Sequence, residues 1–223
     1  MKRAWMILLL IGVVGLGSGC ASNRGYMHLD VPKANKPENA INQVYIRSIT
    51  DARVFEEKPA TADIPSLGFG GLKKADAASV KSHAIARKRN GYGKAMGDIL
   101  LEEQQTVPNL VYDMLKTSLY LLGYDVTNDP AQAKVDAIQF EVSVDKFWGW
   151  LTPGFWTLAT SNEIMTTVQI GSAGSRAPVV IAGKEVNHCQ VADTRNWQKT
   201  FRLGMQKYIE DAQKKLEPEL KAK

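Results

Sequence analysis

The chain has 223 residues and a formal net charge of +5. Lys2 and Arg3 contribute +2 of that charge, and the remainder is too small and scattered for a nucleic-acid footprint. Of two cysteines, Cys20 and Cys189, the second has no disulfide partner if the first is acylated, and the body of about 200 residues is then held by its own core, within the size of one ordinary domain.

A basic start, Met1-Lys2-Arg3, is followed by an apolar run from Ala4 to Leu16 broken only by glycine, and then by Gly17, Ser18, Gly19 and Cys20. These are the n-region, h-region and small-residue cleavage region of a secretory signal. The apolar run is about 13 residues, short of the roughly 20 that cross a bilayer as a helix. The Ser18-Gly19-Cys20 ending resembles a bacterial lipobox, with Gly17 where such motifs usually carry leucine and Leu16 one position further out. That resemblance implies a signal peptide over 1–19 and a covalent lipid on Cys20. Ala21, being non-acidic, implies delivery to the outer membrane with the rest of the chain facing the periplasm.

Residues 20–40 are polar, with two prolines, and read as a flexible tether ahead of a single domain over 41–223. A first strand follows, in which Val44, Ile46 and Ser48 alternate with Tyr45, Arg47 and Ile49. Residues 51–105 contain Pro59, Pro65, Gly68, Gly70 and Gly71, many charges and little periodicity, and are expected to form a long irregular insertion. A short element is expected there around Ile99, Leu100 and Leu101.

The clearest helix runs from Val107 to Leu122. Thr106 is its N-cap, Pro108 falls in its first turn, and Gly123 ends it. Leu110, Val111, Met114, Leu115, Leu119 and Leu122 make its apolar stripe. Three strands come next. Ile138, Phe140, Val142 and Val144 alternate with polar residues, as do Ile164, Thr166, Val168 and Ile170. Val179, Val180 and Ile181 open the third, where Gly183 is expected to mark a bulge before Val186. A last helix spans Thr194 to Leu216, capped by Asp193 or Thr194, with Trp197, Phe201, Met205, Ile209, Ala212 and Leu216 on one face. The expected fold is α+β, two-layered, with two main helices on an antiparallel sheet.

No catalytic constellation is visible, and no cofactor is expected beyond the lipid on Cys20. His28, His83 and His188 are dispersed. His188 and Cys189, as strand neighbours, point to opposite faces and do not share a metal. No HExxH, CxxC pair or Gly-x-Ser-x-Gly is present.

Two segments stand out as contact candidates. The first is 87–94, with Arg87, Lys88, Arg89 and Lys94 around Asn90-Gly91-Tyr92-Gly93. It lacks the Walker spacing, but glycine backbone N–H groups and these cations suit an anion: a phospholipid headgroup, a lipopolysaccharide phosphate or an acidic protein face. A solvated basic turn or hairpin is the plainer alternative. The second is 147–156, with Phe147, Trp148, Trp150, Phe155 and Trp156 around Gly149, Pro153 and Gly154. It joins two strands and is expected at a hairpin tip. An exposed aromatic patch there suits a membrane interface, a glycan or a protein partner. The alternative is a loop folded back over the core.

Two stretches resemble the YajG-like family of bacterial envelope lipoproteins. One is Val44-Tyr45-Ile46-Arg47-Ser48-Ile49-Thr50-Asp51-Ala52-Arg53-Val54-Phe55, a strand running into an Asp-x-Arg-x-Phe turn. The other is the helix from Val107 followed by Gly123-Tyr124-Asp125-Val126. The resemblance implies an outer-membrane lipoprotein of unassigned role and carries over no functional residues. The element pattern also resembles that of auxiliary lipoproteins of envelope transport systems. The function expected from the sequence is therefore a non-enzymatic accessory lipoprotein that binds a partner envelope assembly. The alternative is a binding module for lipid, lipopolysaccharide or peptidoglycan. For Asp51 and Arg53 the residues themselves suggest structural roles, with Arg53 paired to Asp51 or Glu56.

Overall fold

A computed structural model describes residues 24–68, 77–89, 95–171 and 176–221. Eight strands and three helices follow one another as β1 (Gly25–Met27), β2 (Gln43–Asp51), α1 (Ala77–His83), β3 (Ala84–Arg89), β4 (Ala95–Leu101), α2 (Val107–Leu121), β5 (Asp125–Thr127), β6 (Ile138–Pro153), β7 (Leu158–Ile170), β8 (Val179–Cys189) and α3 (Thr194–Lys221). The fold is α+β with an open sheet. Cys20 and Lys94 lie outside the described residues.

The sheet is organised around β6, which is long enough to take two neighbours in succession on one edge. Its first half, Ile138 to Val144, pairs in parallel with β2, which in turn carries β5. Further along, Gly149 pairs with Ala86 of β3, and β4 and β1 extend the sheet from there. The other edge of β6 forms a long antiparallel hairpin with β7, and β8 closes that side. The sheet is thus mixed, where a purely antiparallel one was expected. The direction of a strand is not encoded in its alternation. It follows here from the connection, since α2 and its flanking strands intervene between β2 and β6 and return the chain in parallel.

A register shift between Val144 and Lys146 sets the function of the two faces. Before it, Phe140, Val142 and Val144 enter the main core. After it the alternation is offset by one residue. Phe147 now faces the main core, stacked on Phe201 of α3 at 5.6 Å between ring centroids. Trp148 faces the opposite side, where it meets Leu67, Ala84 and Leu100 in a second, smaller core. The main core lies under α2 and α3. The smaller one is covered by residues 53–68 and α1.

The two long helices, α2 and α3, start at the caps their sequence predicts, and α2 ends at the expected glycine. The Thr106 hydroxyl accepts from the Asn109 N–H at 3.3 Å, and Gly123 takes a positive φ of 85° just past α2. The Asp193 carboxylate accepts from the Asn196 N–H at 2.9 Å at the start of α3, which continues five residues beyond the expected Leu216 to Lys221. Pro218 falls in its last turn.

Three expectations are corrected. Residues 24–32, placed in the tether, belong to the domain: β1 pairs with β4, Leu29 and Val31 are buried, and the Gln105 amide bonds both backbone groups of Leu29, at 2.9 and 2.8 Å. Their alternation is too short to register against a polar background. The 51–105 insertion, expected to hold one short element around Ile99, contains α1, β3 and β4 among its described residues, while 52–68 is irregular as expected. Its strands are masked in sequence because their second face is covered by protein, which removes the alternation. Gly183 makes no bulge, and β8 pairs continuously with β7 through it. Its lack of a side chain serves instead to admit α3.

Candidate functional site

The aromatic segment divides between core and surface. β6 runs unbroken through Pro153, and the turn consists only of residues 154–157, closed by the Gly154 N–H donating to the Thr157 carbonyl at 2.9 Å. Trp148 is fully buried, its indole N–H donating to the Ala62 carbonyl at 3.1 Å and its ring edge-on to Phe55. It is a core residue and not a contact residue, because the register shift turns it under the 53–68 segment. Trp150 is half-buried on the same face, with the ammonium groups of Lys146 and Lys184 each 5.6 Å from its ring centre. Lys146 is fixed in turn by Glu163 at 2.9 Å.

Phe155 and Trp156 remain outside. They are 88% and 82% exposed and form a T-shaped pair 4.7 Å apart at the very end of the hairpin. No charged residue occurs between positions 151 and 162, nor any Asp, Glu, Lys or Arg between 186 and 192. The second stretch reaches the same end of the sheet, since Cys189 pairs with Leu158, and it adds exposed Val191. Together these residues form an uncharged apolar apex on a rigid three-stranded support.

The basic segment lies beside it. Because β3 runs parallel to β6 from the Ala86–Gly149 pair, Arg87, Lys88 and Arg89 advance toward the apex. Arg87 is turned inward: its guanidinium donates to the Ser66 hydroxyl at 3.2 Å and lies 3.6 Å from Asp98. Burial pulls its pKa down from the ordinary value, opposed by Asp98 and reinforced by Arg89. Asp98 is fully buried, accepts from the Gly68 N–H at 2.9 Å, and has Arg24 at 3.5 Å as a second cation. Arg89 also donates to Ser66. Lys88 projects to the other face, over Gly25. The expected glycine-loop anion cradle falls on residues 90–94, outside those described. Of the expected cations, Arg87 serves Asp98, while Lys88 and Arg89 stay half-exposed.

Sequence reasoning left out Arg24, Val191, Arg195 and Lys199. The last two are exposed cations in the first two turns of α3, which starts from the apex, and Arg195 pairs with Asp193 at 3.2 Å. They are far from the hairpin in sequence, and only strand pairing brings them to it. His188 is exposed on β8, next to half-buried Cys189. Among the described residues no group of three His, Cys, Asp or Glu side chains is placed to hold a metal. Two clefts of about 500 and 660 Å³ flank α2, both lined by His28, Gln105 and Asp113, and share no residue with the apex.

No family model matches this chain, and no curated protein does. Solved structures resemble it at low identity. One is an uncharacterised protein, 12% identical, covering 89% of this chain and 99% of its own, with a TM-score of 0.42. Another is a protein from Xanthomonas campestris described under the family model DUF330, also 12% identical, covering 89% of this chain and 98% of its own, with a TM-score of 0.48. Neither description names an activity, a ligand or a partner.

Proposed function

We propose that this chain is a non-enzymatic accessory lipoprotein of the cell envelope, anchored through Cys20, that works by contact with a partner envelope assembly or with the envelope surface itself. The exposed Phe155–Trp156 pair carries this reading. Two large rings held in water at the end of a braced hairpin cost hydration free energy that the fold does not recover, so they are explained by an occupant outside the chain. The rings that do contribute to folding, Trp148 and Phe147, are buried nearby.

The alternative of a lipid or glycan module is favoured by one observation: the apex is flanked by Lys88, Arg89, Arg195 and Lys199, which suit phosphate-bearing ligands. The test begins with the mass of the mature protein recovered from envelope membranes. Diacylglyceryl-modified Cys20, lost with retention in the membrane when Cys20 is replaced by serine, supports the anchor. An unmodified soluble chain overturns it. A Phe155→Ser/Trp156→Ser double variant should then fold normally and lose its envelope contacts.

A further inference from the structure

We infer that the hairpin apex is a second membrane-contact site, whose occupant is the anionic phospholipid surface in which the Cys20 lipid is embedded. This deepens the proposed function and rests on its lipid anchor.

The argument begins with strand direction. β1 is parallel to β4, β4 is antiparallel to β3, and β3 is parallel to β6. β1 therefore runs opposite to β6, and the chain that enters β1 comes from the side of the sheet where β6 ends. The pairs Gly25–Ile99, Ile99–Ala86 and Ala86–Gly149 place these four residues in one row across the sheet. From Gly149 to Pro153 is four residues, about 13 Å at the rise of a strand. From Gly25 back to Cys20 is five residues, at most about 18 Å fully extended. The lipid-bearing residue can thus extend only about 5 Å past the level of Pro153.

A lipid on Cys20 must reach the bilayer on that short lead. Had residues 24–40 been a free tether, the domain would have had many orientations and distances. With 24–32 packed into the domain, the apex is the end that the anchor holds against the membrane.

The composition of that end fits a headgroup layer. Phe155 and Trp156 form an uncharged tip, and tryptophan is favoured at the depth between acyl chains and headgroups. Behind the tip stand Arg24 and Arg89 on the face that holds Asp98 and Ser66, Lys88 on the opposite face, and Arg195 and Lys199 in the first turns of α3. Carboxylates accompany them too: Asp30 shares a cleft with Arg195 and Lys199, and Glu102 and Glu103 share one with Arg24. Asp98 is buried under Arg24 and Arg87, and Asp193 is paired with Arg195. The tip supplies apolar insertion and the collar supplies attraction to anionic lipid, as in a peripheral anchor of two signals. The consequence is a fixed orientation: the β6–β7 hairpin points into the membrane surface, and the end of the sheet bearing β5 points away from it.

The test uses the full, acylated mature protein in vesicles of phosphatidylethanolamine and phosphatidylglycerol whose acyl chains are brominated near the headgroup. Tryptophan emission should be quenched, and Trp156→Phe should remove most of that quenching, because Trp148 and Trp197 are buried and Trp150 is covered by Lys146 and Lys184. Replacing phosphatidylglycerol by phosphatidylcholine, or introducing Lys88→Gln with Arg195→Gln, should weaken the quenching while the protein stays anchored. Acylated protein that sediments with the vesicles but shows no Trp156 quenching overturns the inference and leaves the lipoprotein reading intact. Absence of acyl mass on Cys20 overturns both, and is seen by mass spectrometry rather than by fluorescence.

Discussion

Gly183 of β8 faces Gly204 of α3 with no room for a side chain on either. A Cβ on Gly183 would press on the Gly204 carbonyl and lie 2.5 Å from the Tyr208 nitrogen, and a Cβ on Gly204 would strike the Asn162 amide. The helix can approach β7 and β8 this closely only because both positions are glycine. Gly183→Ala is therefore expected to push α3 outward and destabilise the domain by about 1–3 kcal/mol, the usual cost of overpacking. Thermal unfolding of the variant checks this. An unchanged melting temperature would show that α3 has slack.

Arg53 ties together the point where the sheet branches. Its side chain is fully buried. It forms two bonds of 2.7 Å to the Asp51 carboxylate and donates to the carbonyls of Lys81, Ala84 and Phe147 at 2.6, 2.6 and 2.9 Å. Those carbonyls come from α1, β3 and β6, and β2 has left the β6 edge just before Arg53. The guanidinium substitutes there for backbone pairing. Arg53→Met removes every side-chain donor to these three carbonyls and leaves Asp51 only the backbone N–H of residue 53, and is expected to cost about 3–5 kcal/mol by denaturant titration. Arg53→Lys should recover only part of this, since an ammonium does not span the fork.

The phenol of Tyr208 gives a pH signature. It is wholly buried and bonded to Thr166 at 2.6 Å. Burial raises its pKa well above the ordinary value, more than the Thr166 bond lowers it. In the unfolded chain it ionises near pH 10. Its contribution is complete below that pH and is lost as pH rises above it, because only the unfolded state releases the proton. Tyr208→Phe is expected to lose about 1 kcal/mol at neutral pH and to show a shallower decline in alkali. Urea titrations across that range measure both.

The two kinds of aromatic residue on the hairpin should separate cleanly by stability. Trp148→Ala removes a ring from the smaller core and is expected to cost about 3–5 kcal/mol. Phe155→Ser with Trp156→Ser alters exposed residues and should stay within about 0.5 kcal/mol of wild type. Comparable losses from both would place the tip in the core.

The sequence was most informative where one face of an element meets water. The stripe of α2, the cap on Thr106, the glycine at 123, and the alternations from Ile138 and Ile164 all lie where expected. It was least informative where both faces are covered. Ala84, Ile85 and Ala86 are all buried, so β3 has no alternation to detect. Ten residues around the tryptophans read as one aromatic cluster because the Val144–Lys146 register shift, which sends Phe147 and Trp148 into different cores, has no sequence signature. The apex itself was half legible. Phe155 and Trp156 were named from composition, whereas Arg195, Lys199 and Val191 join them only through the pairing of β7 with β8.

The most direct test of the apex as contact surface is photo-crosslinking in living cells, with the whole chain from Met1 expressed and the photoreactive residue placed at position 156 in one strain and at position 148 in another. The account predicts adducts to lipid, or to a discrete envelope protein, from position 156, and from 148 only links within the chain to the 53–68 segment that covers it. External adducts from 148, or none from 156, would contradict it.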